Sequence, residues 1–151
     1  MPRTGASLAV AALFTLGTSG AAFADSDVTW TNASTKRCLE YSPGFSNPVV
    51  ADCSRGWKKI FHDTGNADGS WNEVAKEAAP FGKLCLAAYK DNSVYIEPCT
   101  NPSNDYQRWF ENKTDTGWEL RHKATGRCLD SNAEGKVYLH DCNAGLFQRW
   151  T

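Results

Sequence analysis

The stretch that decides the fold is LHDCNAGLFQRWT, residues 139–151, which contains Gln148-Arg149-Trp150. The same tripeptide occurs earlier in the chain as Gln107-Arg108-Trp109. Because a three-residue match arises easily by chance, its weight depends on whether the surrounding residues recur as well. Each tripeptide follows a cysteine at a similar short distance, which makes the cysteines the next feature to compare.

Six cysteines divide the chain into three similar units. They fall into successive pairs separated by 15, 14 and 14 positions, and the first members of the pairs recur after 47 and then 43 residues. A period of this length is typical of a repeated supersecondary unit. An even number of cysteines is typical of disulfide-bonded proteins from oxidising compartments. The cysteines are Cys38, Cys53, Cys85, Cys99, Cys128 and Cys142.

The neighbours of the cysteines recur too. Leucine follows each first cysteine, in KRCLE, KLCLA and GRCLD, and an apolar residue stands three places before each second cysteine. Lys59 and Phe61 match the Gln-x-Trp positions in the first unit, and a tryptophan precedes each first cysteine, at Trp30, Trp71 and Trp118. Segments such as SVYIEP and KVYLHD alternate apolar and polar residues, which predicts short strands. Three all-β units of about 40 residues, each too small to bury its own apolar face, should share one core.

This order of Cys-Leu, Cys and Gln-x-Trp resembles the ricin B-type β-trefoil, the fold of R-type lectins and family-13 carbohydrate-binding modules. The resemblance implies an all-β fold of three pseudo-symmetric repeats at about residues 28–66, 67–113 and 114–151. It implies that Phe61, Trp109 and Trp150 lie in the shared core. We interpret Gln107 and Gln148 as residues that tie the backbone across their repeats with both ends of the amide, in preference to contacting a ligand directly. We also expect one disulfide within each repeat: Cys38–Cys53, Cys85–Cys99 and Cys128–Cys142.

The N-terminal residues 1–24 predict a signal peptide, so that residues 25–151 form the trefoil domain. Arg3 precedes the apolar run SLAVAALFTL, and Ala22-Phe23-Ala24 has the small-x-small pattern of a cleavage site. The run is too short to cross a bilayer, so we expect a secreted protein without a membrane span. A net charge of −1, from 16 basic and 17 acidic residues, disfavours a nucleic-acid partner. The lack of a Cys-x-x-Cys pair and the scattered histidines predict no metal, and we expect no cofactor.

In the resembled lectins, the sugar pocket of a repeat uses an aspartate two places after the first cysteine. An aromatic residue two places before the second cysteine stacks on the sugar, and a polar residue before Gln-x-Trp completes the pocket. The first repeat departs from this pattern with Glu40, Ala51 and Lys58, and the second departs with Ala87, Glu97 and Tyr106. We therefore expect both repeats to be inactive as standard sugar sites.

The third repeat keeps more of the pattern. Asp130 is present, and His140 takes the aromatic place, where an imidazole can both stack and donate a hydrogen bond. Phe147 replaces the polar residue before Gln-x-Trp. Tyr138, Asn143 and Gln148 stand where they can compensate, and the resemblance therefore implies a carbohydrate site formed by these residues with Asp130 and His140.

The leading hypothesis is a secreted, lectin-like protein that binds a glycan or polysaccharide through at most one standard site. The alternative is a protein-interaction module or adaptor subunit that joins other secreted proteins and has lost most sugar binding. Its support is the two defective repeats and the aromatic residues near the first cysteines: Tyr41, Phe45, Phe81 and Tyr89. We do not expect an enzyme, because the chain has no nucleophile elbow, metal triplet or phosphate loop. A trefoil protease inhibitor acting through an exposed loop stays open.

Overall fold

The computed structural model describes residues 25–42, 47–76 and 82–151. The predicted signal peptide, residues 1–24, lies outside the described residues. In the part of the chain that is described, no helix has both the length and the apolar character needed to cross a membrane.

Eleven short strands and two single-turn 3-10 helices make up the described regions. Each 3-10 helix, Asp105–Gln107 and Leu146–Gln148, ends on the glutamine of a Gln-Arg-Trp motif. The strands are β1 (Ser26–Val28), β2 (Cys38–Glu40), β3 (Val49–Ala51), β4 (Phe61–Gly65), β5 (Trp71–Ala75), β6 (Leu84–Ala88), β7 (Val94–Pro98), β8 (Trp109–Thr114), β9 (Gly117–His122), β10 (Cys128–Ser131) and β11 (Val137–His140).

A closed ring of antiparallel strands forms the centre of the fold. β4 pairs with β1 and β5, and β8 pairs with β5 and β9. Trp150 closes the ring, because it bridges both Trp118 on β9 and Asn32 just after β1. The two ends of the domain are joined there, and Thr31 N donates to Thr151 O at 2.8 Å.

Three antiparallel hairpins, β2–β3, β6–β7 and β10–β11, complete the fold. In each hairpin the leucine after the first cysteine pairs directly with the apolar residue three places before the second cysteine. The pairs are Leu39 with Val50, Leu86 with Ile96, and Leu129 with Leu139. All six side chains are buried, so the recurring apolar residues of the sequence are the core-facing sides of the three hairpins.

The rings of Phe61, Trp109 and Trp150 are fully buried in the shared core. Trp109 Nε1 donates to the carbonyl oxygen of Leu86 at 2.9 Å, and Trp150 Nε1 donates to that of Leu129 at 3.2 Å. The N–H of each buried indole therefore has a hydrogen-bond acceptor within the protein, which replaces the water that it loses on burial. These two hydrogen bonds also tie β8 and the C-terminal segment to the hairpins of their own repeats.

Tyr41 belongs to the core rather than to an exposed interaction surface, which corrects the interpretation of the sequence. Its side chain is fully buried, packs edge-on against Phe61 at a centroid distance of 5.0 Å, and donates to Ile60 O at 2.7 Å. Tyr89 is half-buried, and Phe45 and Phe81 lie outside the described residues.

The three tryptophans that precede the first cysteines do not all occupy equivalent positions in the strands. Trp71 and Trp118 hold equivalent places on β5 and β9, since each pairs with the core tryptophan of its own repeat. The corresponding partner of Phe61 is Val28, not Trp30. Trp30 stands two positions further along the chain, where it is buried in the core.

The three predicted disulfides are present, with Cα–Cα distances of 5.0 Å. Each joins the first strand of a hairpin to the residues just after its second strand. Closing a loop of this size stabilises by roughly 3 kcal/mol in the chain-entropy model, because it restricts the unfolded chain. Each small hairpin is therefore held together independently of the shared core.

His122 is a buried structural residue beside Trp109, at a centroid distance of 4.9 Å. Its Nε2 lies 3.0 Å from Tyr106 O, and its Nδ1 lies 3.0 Å from Thr125 Oγ1. Because a carbonyl oxygen can only accept, the neutral ring carries its proton on Nε2 and accepts the threonine hydroxyl proton at Nδ1. Burial lowers the pKa of His122, although the Tyr106 carbonyl and the Asp105 charge oppose this effect.

Replacing Trp150 by alanine should lower the free energy of unfolding by about 3–5 kcal/mol, since the change removes a buried ring and leaves a cavity. Urea denaturation followed by tryptophan fluorescence measures the effect. The control is Leu146→Ala, at a side chain that is 46% exposed, which should change stability by no more than about 0.5 kcal/mol. Equal effects of the two substitutions would contradict the assignment of Trp150 to the core.

The buried state of His122 predicts acid sensitivity. Because the pKa of His122 is lower in the folded chain, the unfolded chain takes up this proton first as the pH falls below about 6.5. The stabilising contribution is complete above that pH and declines below it, with a slope of at most about 1.4 kcal/mol per pH unit. Comparing urea denaturation of the wild type and His122→Gln across this range isolates the contribution, and identical pH dependences would contradict it.

Candidate functional site

The β10–β11 hairpin brings Asp130 and His140 to one face. Cys128 pairs with His140 and Asp130 pairs with Tyr138, so these side chains point away from the buried leucine pair. Asp130 and His140 are diagonal neighbours across the two strands. Such neighbours lie about 7–8 Å apart, within reach of a single small ligand.

Gln148 lies behind Asp130 and holds its carboxylate in place. The Gln148 side chain is fully buried, and its Nε2 donates to Asp130 Oδ2 at 2.8 Å and to Asp141 O at 3.0 Å. Its Oε1 accepts a hydrogen bond from Asn143 N at 2.8 Å. Both ends of the amide are therefore engaged within the protein. The sequence predicted that Gln148 ties the backbone across its repeat, and also counted it among the residues that can complete a sugar site. In the structure both ends of its amide make the structural contacts, and its Nε2 also holds Asp130.

The other predicted residues surround this pair. His140 is exposed at the end of β11, with its Nδ1 3.3 Å from Asp141 O. Tyr138 is half-buried, and its hydroxyl lies 3.4 Å from Ser131 O. Asn143 is exposed but uses its Oδ1 to accept from Gly145 N at 2.7 Å, so its side chain shapes the loop before the last 3-10 helix.

Leu146 and Phe147 add an apolar surface that the sequence did not reveal. Among the described residues they are the large apolar side chains left exposed, at 46% and 38%. Both lie in the 3-10 helix that ends on Gln148. From the sequence, Phe147 was interpreted only as the replacement of the polar residue that precedes Gln-x-Trp in the resembled lectins. Its exposure follows from the helix turning the side chain outward while Gln148 and Trp150 turn inward.

In the second repeat Gln107 makes the same contacts as Gln148. Its Nε2 donates to Pro98 O at 2.9 Å, and its Oε1 accepts from Thr100 N at 2.9 Å. Gln148 makes the corresponding contacts at the residues just before and just after Cys142. The glutamine of the motif is therefore a repeated structural clamp.

Ala87, at the position of Asp130, has no carboxylate, and the carboxylate of the second repeat comes from the opposite strand of the hairpin. Glu97 on β7 accepts from Gln107 Nε2 at 2.8 Å through Oε1 and from the Tyr89 hydroxyl at 2.7 Å through Oε2. The hydrogen bond to Glu97 and burial raise the pKa of Tyr89 to about 12, so the hydroxyl remains a donor. Both oxygens of Glu97 are thus occupied by the protein itself.

Tyrosines cover the same face of the second hairpin. Tyr95 pairs with Ala87 across the strands, and Tyr89 lies two residues beyond Ala87. The ring of Tyr89 stacks on Tyr106 at a centroid distance of 5.2 Å and meets Tyr95 edge-on at 5.8 Å. The rings pack against one another on the face that carries Asp130 in the third repeat.

The first repeat buries its acid. Glu40 takes the place of Asp130, but its side chain is fully buried and neither carboxylate oxygen accepts a hydrogen bond. Burial raises the pKa of Glu40, and Arg55 Nε lies 3.9 Å from its Oε2. Lys59 replaces the glutamine and donates to Cys53 O at 2.6 Å, but an ammonium group has no acceptor to complete the clamp. This repeat presents no accessible acid at the sugar position.

Glu119 lies close to the sulfur atoms of Cys128 and Cys142, a grouping with the ligand types of a metal site. The two cysteines are joined in a disulfide, so they offer no thiolate. Since the thiolate is the form that binds metals, this group is not a candidate metal centre.

Comparison with known proteins agrees with this architecture. The family model for the ricin-type beta-trefoil lectin domain matches residues 26–150. The chain is similar in structure to a designed 3-fold symmetric protein, ThreeFoil, with a TM-score of 0.71 and 16% identity, over 82% of this chain and 95% of that one. It is similar to the cytolethal distending toxin of Haemophilus ducreyi, with a TM-score of 0.69 and 16% identity, over 82% and 80% of the two chains.

The cytolethal distending toxin of Actinobacillus actinomycetemcomitans gives a TM-score of 0.67 and 16% identity, over 82% of this chain and 88% of that one. At such identities these structural likenesses bear on the fold alone. The family match spans the ring and all three hairpins, and the chain belongs to the ricin-type β-trefoil lectin domain family.

Proposed function

We propose that this protein is a secreted glycan-binding protein whose single sugar site lies on the outer face of the β10–β11 hairpin, and that it acts by binding and not by catalysis. The observation that carries the proposal is the Asp130 carboxylate, oriented by a buried glutamine, on the same face as the exposed His140. Three disulfides and the signal-like residues 1–24 support secretion.

The chemistry of this face suits a sugar. Gln148 occupies Asp130 Oδ2, while no described residue donates to Oδ1, which is left to accept a hydroxyl proton. Asp130 is only 6% exposed, so it can receive one hydroxyl group at the surface rather than enclose a ligand. His140 and Phe147 offer exposed rings for the apolar face of a sugar. The replacement of the polar residue by Phe147 thus exchanges a hydrogen bond for ring contact.

The contrast between repeats supports a single site. Glu97 gives both oxygens to the protein, and Glu40 is buried without access from the surface. One shallow pocket of this kind gives an affinity in the millimolar range, or about −4 kcal/mol. Retention on a target therefore requires a polymer with many copies of the sugar or several linked protein chains.

Glycan arrays followed by calorimetry test the siting. Asp130→Asn keeps the size of the side chain but removes its charge and one acceptor, and should weaken binding about tenfold or more, since such hydrogen bonds contribute about 1.5–3 kcal/mol. His140→Ala should weaken binding as well. The matched control is Asp91→Asn, at an exposed residue in the turn of the β6–β7 hairpin, which should bind as the wild type does. Unchanged affinity in both site variants would contradict the proposed site.

The adaptor alternative loses Tyr41, which is part of the core, and gains Leu146 and Phe147 as exposed apolar residues. An exposed apolar pair of this kind can dock on a protein. Co-purification from the native source separates the two functions. A stable complex that survives excess free sugar and is lost in Leu146→Ser favours the adaptor, whereas release by sugar and loss in Asp130→Asn favours the lectin.

A further inference from the structure

Three carboxylates meet inside the ring of strands, away from the hairpin face that carries the proposed sugar site. Asp63 on β4 pairs directly with Glu73 on β5, and Glu111 lies on the next strand of the ring, β8. Asp63 and Glu111 each stand two residues after a core aromatic residue, Phe61 or Trp109. Since alternate residues of a strand share a face, the acids point to the same interior as those aromatic rings.

The acids have few partners in this interior. One carboxylate oxygen from each of the three lies within 4.8 Å of the others. Asp63 is 4% exposed and Glu73 is fully buried. Asp63 Oδ1, Glu73 Oε1 and Glu111 Oε1 are buried, and no N–H group or hydroxyl of the described residues donates to them. The groups within hydrogen-bonding reach are the other carboxyls of the cluster, Glu73 with Asp63 and with Glu111. A buried carboxylate without a partner is costly, so a positive group should stand among these oxygens.

Trp30 aims one of the three acids into the cluster. Its Nε1 donates to Glu73 Oε2 at 3.0 Å, and this contact is buried. The other oxygen, Oε1, is buried and has no donor among the described residues other than a protonated carboxyl of the cluster. Neighbours that orient a ligand in this way are typical of metal sites, where they fix the geometry before the ion arrives.

The number of carboxylates and their burial select the ion. Calcium takes about six to eight oxygen ligands in flexible geometry, and a carboxylate can bind it through one or both oxygens. Magnesium keeps several of its waters and is usually bound through only one or two carboxylates. Three converging carboxylates, of which Asp63 and Glu73 are buried, therefore match calcium. We propose that Asp63, Glu73 and Glu111 bind one calcium ion within the ring of strands.

This site was not expected from the sequence, which predicted no metal because it has no Cys-x-x-Cys pair and no cluster of histidines. That argument addresses zinc-like ions, whereas calcium takes oxygen ligands. The three acids are separated along the chain and come together only through strand register. Glu111 is half-buried, which gives the ion a route from solvent. The ion would stabilise the ring, since anything that binds only the folded chain raises its stability.

Protons are the competing positive groups. Burial raises the pKa of all three carboxyls, and repulsion by Asp63 adds to this for Glu73 and Glu111, bringing the pKa of Glu111 to about 7. The test is therefore made at about pH 8, where calcium has less competition from protons.

Calcium chloride is titrated into protein freed of metal with a chelator, using calorimetry and thermal unfolding. We expect one calcium ion per chain. The Tm should rise by roughly 5–10 °C when calcium exceeds its Kd about 100-fold, and magnesium should produce a smaller rise. An absence of binding heat with an unchanged Tm would overturn the proposal and would mean that protons alone neutralise the three carboxylates. An equal response to magnesium would overturn the assignment to calcium.

Glu73→Gln removes one charge at nearly constant shape and should abolish the calcium response. Glu111→Gln, at a half-buried side chain, provides a second variant if the first does not fold. The matched control is Glu134→Gln, at an exposed acid on the turn of the β10–β11 hairpin, which should respond as the wild type does. A calcium response that persists in Glu111→Gln would overturn the proposed ligand set.

Discussion

The burial of one aromatic ring from each repeat, Phe61, Trp109 and Trp150, is the constraint on which the rest of the structure depends. Each indole also gives its N–H to the leucine carbonyl that follows a first cysteine, so the ring is anchored in one orientation. A repeat of about 40 residues cannot bury such a ring by itself. Three repeats can do so together, because the strands close into a ring through Trp150.

The glutamine two residues before each tryptophan links this core to the outer face of the hairpin. It clamps the end of the hairpin in the same way in both repeats that have it. Its amide N–H then holds whichever carboxylate the hairpin provides. In the third repeat that carboxylate is Asp130, whose Oδ1 receives no hydrogen bond from the described residues. In the second it is Glu97, whose other oxygen accepts from the Tyr89 hydroxyl. The strand that supplies the acid therefore decides whether a carboxylate oxygen of the repeat is left without a donor from the described residues.

Departures from threefold symmetry place a group of three acids inside the ring of strands. Glu73 stands at a place held by Leu120 in the next repeat and by Trp30 in the first, as the strand register shows. The acid and the indole that orients it are thus different residues at equivalent positions of the fold. The same equivalence explains why Trp30 does not align with Trp71, although both precede a first cysteine.

The sequence by itself determined the fold class, the three disulfide pairs and the three core aromatic residues, because cysteine spacing and Gln-x-Trp are local patterns that repeat. It also singled out Asp130 and His140 as candidate site residues, because they stand at fixed distances from cysteines. Only the tertiary structure decided that Gln148 holds the Asp130 carboxylate, that Phe147 is exposed, and that Asp63, Glu73 and Glu111 meet. The physical reason is that exposure, hydrogen-bond partners and the meeting of distant acids depend on strand register and ring closure, which no local pattern specifies.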